Sequence, residues 1–113
     1  MNLTTDRHQG VAVVRVGEPR LMYPLLSEFS NTVTSLIGNG ERKLLLDLSH
    51  VTYVDSATIG CFMDLYRQAA AAGAALKLSG VQKRVETMLT MTGAQNFLEI
   101  HPDEPSALKS FGA

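Results

Sequence analysis

Asp55 and Ser56 stand side by side, with Thr58 two places on, in the run Val54-Asp55-Ser56-Ala57-Thr58-Ile59-Gly60. An apolar stretch, Lys43-Leu44-Leu45-Leu46-Asp47-Leu48, comes before them, and an amphipathic stretch follows. A hydroxyl at a helix start can do two kinds of work. It can accept a hydrogen bond from one of the backbone N–H groups that the first turn leaves unpaired. It can also carry a phosphate, whose charge the positive end of the helix favours. The two uses are compatible, because a capping hydroxyl at a loop–helix junction is also reachable. Residue 59 is Ile, so no capping box forms, and Ser56 is not tuned for capping alone.

Other constellations that could do chemistry are weak. His8, His50 and His101 are far apart and lack ligand spacing, so no metal site is expected. A triad of Ser56, a histidine and Asp55 is disfavoured, because adjacent residues do not easily take the relayed geometry of nucleophile, base and orienter. No glycine-rich phosphate loop is present, and no cofactor is implied. Cys61, the lone cysteine, reads as a buried structural thiol.

Composition narrows the class. The chain has 113 residues, the length of one domain, and 45% are apolar. Ten basic residues face eleven acidic ones, and Arg42-Lys43 and Lys83-Arg84 are isolated pairs, which argues against nucleic acid as a partner. A single cysteine excludes an intrachain disulfide and fits a reducing compartment. Residues 1–7 do not pattern as a signal peptide, and no apolar run approaches the roughly 20 residues that span a bilayer. A soluble cytoplasmic protein without membrane association is expected.

The elements that must hold Asp55 and Ser56 follow from periodicity. Residues 2–7 read as a polar edge strand, Gly10 as a turn, and Val11–Val16 as a buried β-branched strand. Residues 17–20 break the pattern, and Pro24 suits a first helical position. Leu25, Leu26, Phe29, Val33, Leu36 and Ile37 form one apolar helical face, ended by Gly38-Asn39-Gly40. Residues 43–48 are nearly all apolar, as in a central strand covered on both faces. A second helix runs to about Ala72, with Ile59, Phe62, Met63, Tyr66, Ala69 and Ala70 inward. Residues 74–79 read as a strand. Val81, Val85, Met88 and Leu89 mark a third helix, residues 97–100 a short last strand, and Asp103-Glu104-Pro105-Ser106 the start of a C-terminal helix. Strands alternating with helices predict an α/β fold. It has a mixed, mostly parallel sheet of four to five strands, an antiparallel N-terminal edge and about four helices. Functional groups in such sheets gather at the carboxyl ends of strands, where Asp55 and Ser56 fall.

The strand with Asp47-Leu48-Ser49, the bridge Val51–Val54, and then Asp55-Ser56-Ala57-Thr58-Ile59-Gly60 resemble the signature of the STAS domain. Leu76-Lys77-Leu78-Ser79-Gly80-Val81, with Val85 and Leu89, is similar to a downstream part of that family. The likeness covers nearly the whole chain, residues 1–113, as one domain. For a stand-alone bacterial member it implies an anti-sigma factor antagonist (anti-anti-sigma factor), which is not an enzyme. The unphosphorylated form binds an anti-sigma factor serine kinase and frees the sigma factor. Phosphorylation of the serine after the aspartate, here Ser56, ends that binding, and a metal-dependent serine phosphatase resets it. The chain is expected to be a monomer or weak dimer.

The resemblance also marks the partner surface, here Asp55, Ser56, Ala57, Thr58 and Ile59. Asp55 has three roles open to it: orienting the hydroxyl, meeting a kinase-bound metal, or capping the helix. Thr58 departs from the usual glycine, and Ala57 from the usual Ser or Thr. Thr58 then reads as a solvated first-turn threonine, an obstacle to a kinase, or a second phosphorylatable hydroxyl. Pro19-Arg20-Leu21-Met22-Tyr23 replaces a polar loop at the expected partner-binding edge, and Met22 and Tyr23 are candidate contacts. Two alternatives stand beside the switch: a STAS scaffold or accessory subunit of a stress-signalling or lipid-transport complex, and a small enzyme with Ser56 as nucleophile.

Overall fold

The computed structural model of the chain describes residues 1–112. A polar edge strand β1 (Leu3–His8) turns through Gln9 and Gly10 into β2 (Val11–Val16), and the two pair antiparallel. A two-residue strand β3 (Arg20–Leu21) and a 3-10 turn (Tyr23–Leu25) lead into α1 (Leu26–Gly38). Then come β4 (Lys43–Asp47), a second two-residue strand β5 (Tyr53–Val54) and α2 (Ser56–Ala71). The chain closes with β6 (Ala75–Ser79), α3 (Lys83–Thr92), β7 (Glu99–His101) and α4 (Glu104–Ser110).

The main sheet has the order β1-β2-β4-β6-β7, and every pair after the first is parallel. The predicted α/β fold, a mixed sheet of four to five strands with about four helices, is observed with five strands in the main sheet and four helices among the described residues. From β2 onward the order runs in one direction without reversing. Crossovers of one hand then place α1, α2 and α3 on the same face of the sheet. That face carries Val14, Val16, Leu44, Leu46, Leu76 and Leu78 against Phe29, Val33, Phe62, Leu65, Val85 and Leu89. The opposite face presents Val11, Val13 and Leu45, which the short α4 covers with Ala107 and Leu108. Burial on both faces is why β2 and β4 are almost uninterrupted apolar runs.

Arg15 fastens α4 and the edge strand to the sheet. Its guanidinium donates to Asp6 at 2.7 Å, to Asp47 at 3.0 Å and to Glu104 at 2.6 Å. The Glu104 carboxylate foremost, then Asp6, raise the Arg15 pKa above its ordinary value. At Asp47 burial pushes the carboxyl up. The Ser49 amide and hydroxyl and the Arg15 guanidinium outweigh that, and its pKa lies below the ordinary value.

Several boundaries differ from the sequence reading. Pro24 sits in the 3-10 turn before α1, not in the α-helix itself. The third helix starts at Lys83, which leaves Val81 outside it, packed against the core. Leu65 joins the buried face of α2 and Ala70 is exposed, because the inward stripe runs through residues 58, 62, 65 and 69. Cys61 is half-buried, not fully enclosed, and burial pushes its thiol pKa up.

Phe62 and Phe29 meet edge to face with ring centroids 5.9 Å apart, both fully buried where α2 crosses α1 over the sheet. Phe62→Ala is expected to lower the free energy of unfolding by about 3–5 kcal/mol, measured by urea denaturation. A loss below about 1 kcal/mol would mean that α1 and α2 close over the space and that this contact does not organise the helical layer.

Candidate functional site

Asp55 is the residue that begins α2, and its extended backbone (φ −101°, ψ 176°) is that of an N-cap. One carboxylate oxygen, Oδ1, accepts from the Thr58 backbone N–H at 2.9 Å. The other, Oδ2, accepts from the backbone N–H of Tyr23 at 3.1 Å. The Thr58 hydroxyl donates between two acceptors, Asp55 Oδ1 at 2.6 Å and the Leu21 carbonyl oxygen at 2.8 Å. The Thr58 hydroxyl foremost holds the Asp55 carboxyl below its ordinary pKa; burial opposes it, and the Tyr23 and Thr58 amides add to the lowering.

Ser56 is the first residue inside the helix, and it is exposed. Among the described residues its hydroxyl has no hydrogen-bond partner, since Asp55 already serves the amide that a capping serine would take. Of the three roles open to Asp55, capping is the one the geometry displays. The expectation that Ser56 lies at or beside the N-cap resolves to beside it.

The loop that delivers Asp55 is braced from two sides. On one side β5 pairs in parallel with β3, Arg20 opposite Tyr53 and Leu21 opposite Val54. The Thr52 amide and hydroxyl add bonds to the Pro19 carbonyl at 2.7 and 3.0 Å, and the Arg20 guanidinium lies 4.9 Å from the centre of the Tyr53 ring. On the other side Gln82 donates to the Ser49 carbonyl at 2.7 Å. Gly80 lies close beneath at φ +70°. A Cβ there would come 2.9 Å from the Ser49 Cβ, so the approach requires glycine.

Around Ser56 the surface is small and mixed. Ala57 and Gly60 are exposed, Tyr23 is 74% exposed and Met22 is half-buried. An open groove of about 640 Å³ runs between α1 and α2, lined by Tyr23, Pro24, Ser27, Ala57, Gly60 and Cys61 among others. Tyr23 and Ala57 thus share the groove, and Asp55 is bonded to the Tyr23 amide beside it.

A family model described as the STAS domain matches residues 2–107. The chain belongs to the STAS domain family. Solved structures agree on the fold. An anti-sigma-factor antagonist (STAS) domain protein from Planctomyces limnophilus superposes with a TM-score of 0.90 at 16% identity, covering 98% of this chain and 98% of that one. An anti-sigma factor antagonist from Mycobacterium paratuberculosis gives 0.89 at 16% identity, covering 99% and 94%. SpoIIAA, a Bacillus cell fate determinant, is known in a phosphorylated form (0.74, 13% identity, 96% and 98%) and in an unphosphorylated form (0.80, 13% identity, 98% and 97%).

Two members of the STAS signature in this chain lie elsewhere than the sequence suggested. Thr58 is fully buried, not solvated, so in the folded protein its hydroxyl is not offered as a second phosphorylation site or as a surface obstacle. Ile59 is 4% exposed and belongs to the core beneath α2, not to a contact surface. The sequence does carry a signal for the first point. Residue 58 shares a helical stripe with Phe62, Leu65 and Ala69, at spacings of four, seven and eleven. The backbone partners at Leu21 and Tyr23 have no such signal. As for the histidines, among the described residues they join no cluster of three or more potential metal ligands. No described helix is long and apolar enough to cross a membrane.

Asp55→Ala is expected to destabilise the protein by about 1–2 kcal/mol at neutral pH, in the range of lost N-caps. A carboxyl with a lowered folded pKa contributes stability that is complete above its unfolded value, near 3.8, and is lost as pH falls through the folded value. The gap between wild type and variant should therefore be constant from neutrality to about pH 5 and narrow below pH 3.8. Urea titrations across that range check this, and a gap that widens on acidification refutes it.

Proposed function

We propose that this STAS protein is an anti-sigma factor antagonist whose switch is Ser56. Unphosphorylated, it binds an anti-sigma serine kinase and thereby releases a sigma factor. With phosphate on Ser56 it lets go, and a metal-dependent serine phosphatase restores it. This takes residues 1–113 as one cytoplasmic STAS domain acting on protein partners, without enzymatic activity of its own.

One observation carries the proposal. Ser56 is an exposed serine at the first position of a helix, and its hydroxyl is idle because its neighbour Asp55 does the capping. A phosphate placed there displaces no hydrogen bond of the fold, since the Ser56 hydroxyl makes none among the described residues. The existence of the same fold in SpoIIAA with and without phosphate supports the view that it tolerates such a group.

Charge explains how the switch works. A phosphate adds about −1.5 to −2 charge near neutral pH. The N-terminal end of α2 stabilises it by roughly 0.3–1 kcal/mol, and Asp55 next door opposes it. These terms nearly offset one another, so the fold should hold. Binding should not, because a partner that buries Tyr23, Ala57 and Ser56 must also desolvate the added charge.

Incubation with the cognate anti-sigma serine kinase and ATP should add one phosphate by intact mass, absent in Ser56→Ala. Ser56→Asp should weaken binding to that kinase by tenfold or more, about 1.4 kcal/mol. Its melting temperature should move by only a few degrees, as for a surface change below about 1 kcal/mol. Unchanged affinity, or a circular dichroism spectrum grossly altered by phosphorylation, refutes the interface model. A fixed stoichiometric complex indifferent to Ser56→Ala and Ser56→Asp would instead indicate a scaffold subunit.

A further inference from the structure

Thr58 and Ser79 are the buried polar residues among those described, and both are essentially sealed from solvent. A hydroxyl at such a place is unfavourable unless it is bonded, and a valine of the same shape would fill the space without that demand. Capping does not account for it. The Thr58 backbone N–H alone completes the bond to Asp55 Oδ1, at 2.9 Å. What the hydroxyl adds is a bridge to the Leu21 carbonyl, 37 residues away in sequence, while it also braces the Asp55 carboxylate.

That carboxylate uses its second oxygen to hold the Tyr23 amide. The Leu21 carbonyl and the Tyr23 amide flank Met22, so the pair Asp55–Thr58 grips the segment at two consecutive points. The Leu21 side chain anchors the start of the segment in the core, and the Met22 carbonyl accepts from the Leu25 amide at 2.9 Å. The β3–β5 pairing ends at Leu21 and the Tyr23 side chain is 74% exposed, so beyond Leu21 the Asp55 bond to the Tyr23 amide is what ties Tyr23 to α2. Tyr23 and Ala57, the neighbour of Ser56, line the same groove.

We propose that Thr58 is a positioning residue: its buried hydroxyl fastens the Leu21–Tyr23 segment to the first turn of α2, so that Tyr23 and Ser56 form one surface for a protein partner. The partner half of this rests on Ser56 being the switch. The fastening half stands on the hydrogen bonds alone.

Two conservative variants separate fastening from packing. Thr58→Val keeps shape and burial and removes the hydroxyl, while Thr58→Ser keeps the hydroxyl and removes the methyl. Amide hydrogen exchange followed by NMR should show Tyr23 exchanging about tenfold faster in Thr58→Val and within about twofold of wild type in Thr58→Ser, with β4 and β6 amides unchanged in both. A role in packing alone predicts the reverse order, with Thr58→Ser the perturbed protein, and that result overturns the proposal.

The partner half is read with the anti-sigma serine kinase and ATP. Thr58→Val should raise KM about tenfold with kcat within about twofold, and Thr58→Ser should restore KM. Tyr23→Ala lies outside the core and does not depend on how the Thr58 variants fold. It should raise KM comparably, and adding Thr58→Val to it should cost little more, since both remove the same presented surface. Wild-type KM in Tyr23→Ala, or full additivity, overturns the shared surface. Failure of wild type to accept any phosphate refutes the Ser56 switch and the partner half with it, while hydrogen exchange still decides the fastening.

Discussion

The passage from the central strand into α2 depends on a single carboxylate. A helix that starts in a loop leaves its first amides without partners, and some group must meet them. Here Asp55 takes the Thr58 amide with one oxygen and, with the other, reaches across to the Tyr23 amide on a different part of the chain. Because Asp55 does both, Ser56 is released from structural duty and stands free at the helix start. The same carboxylate receives the buried Thr58 hydroxyl, which in turn reaches Leu21. Helix start and neighbouring loop are thus one hydrogen-bonded unit, and the Ser56 hydroxyl stands beside it unbonded.

The sheet supplies the rigid frame for that unit. Its strands are laid down in one direction from β2 to β7, so the three crossover helices stack on one face and their loops gather at one end. There the β4–α2 loop is held between the β3–β5 pairing and the close approach of Gly80 with the Gln82 bond. On the far side the short α4 covers the apolar patch with help from Arg15, whose contacts to Asp6, Asp47 and Glu104 span three strands and the helix. The loop end is thereby tied to the sheet by backbone pairing and close packing on both sides.

In the proposed switch, a phosphate would be added at this braced loop end. A group added at the first helical position sits where backbone dipoles accept charge and where no existing bond needs to break. The energy that changes is then the energy of contact with another molecule, through desolvation and repulsion, rather than the energy of folding. Sequestering the second hydroxyl, Thr58, inside the junction also leaves one accessible serine in the motif instead of two competing hydroxyls.

Much of this was legible in the chain itself. Apolar spacings of three to four placed α1 and α2, and near-continuous apolar runs placed β2 and β4 as buried strands, because these patterns are local consequences of which faces are buried. The Asp-Ser pair and its place at the carboxyl end of β4 came from the same source, together with the family signature. The two-residue strands β3 and β5 were not legible, since so short a run has no period. Nor did sequence decide which of two adjacent capping residues, Asp55 or Ser56, would cap. That choice is set by the Tyr23 amide, 32 residues away, which fixes the Asp55 side chain in place. The burial of Thr58 was written in the stripe it shares with Phe62 and Leu65, but its partner at Leu21 was not. Sequence determined the elements and the candidate serine, because periodicity and motif are local. Tertiary structure decided which hydroxyl is free and which is locked, because that depends on bonds to distant backbone groups that only the fold brings within reach.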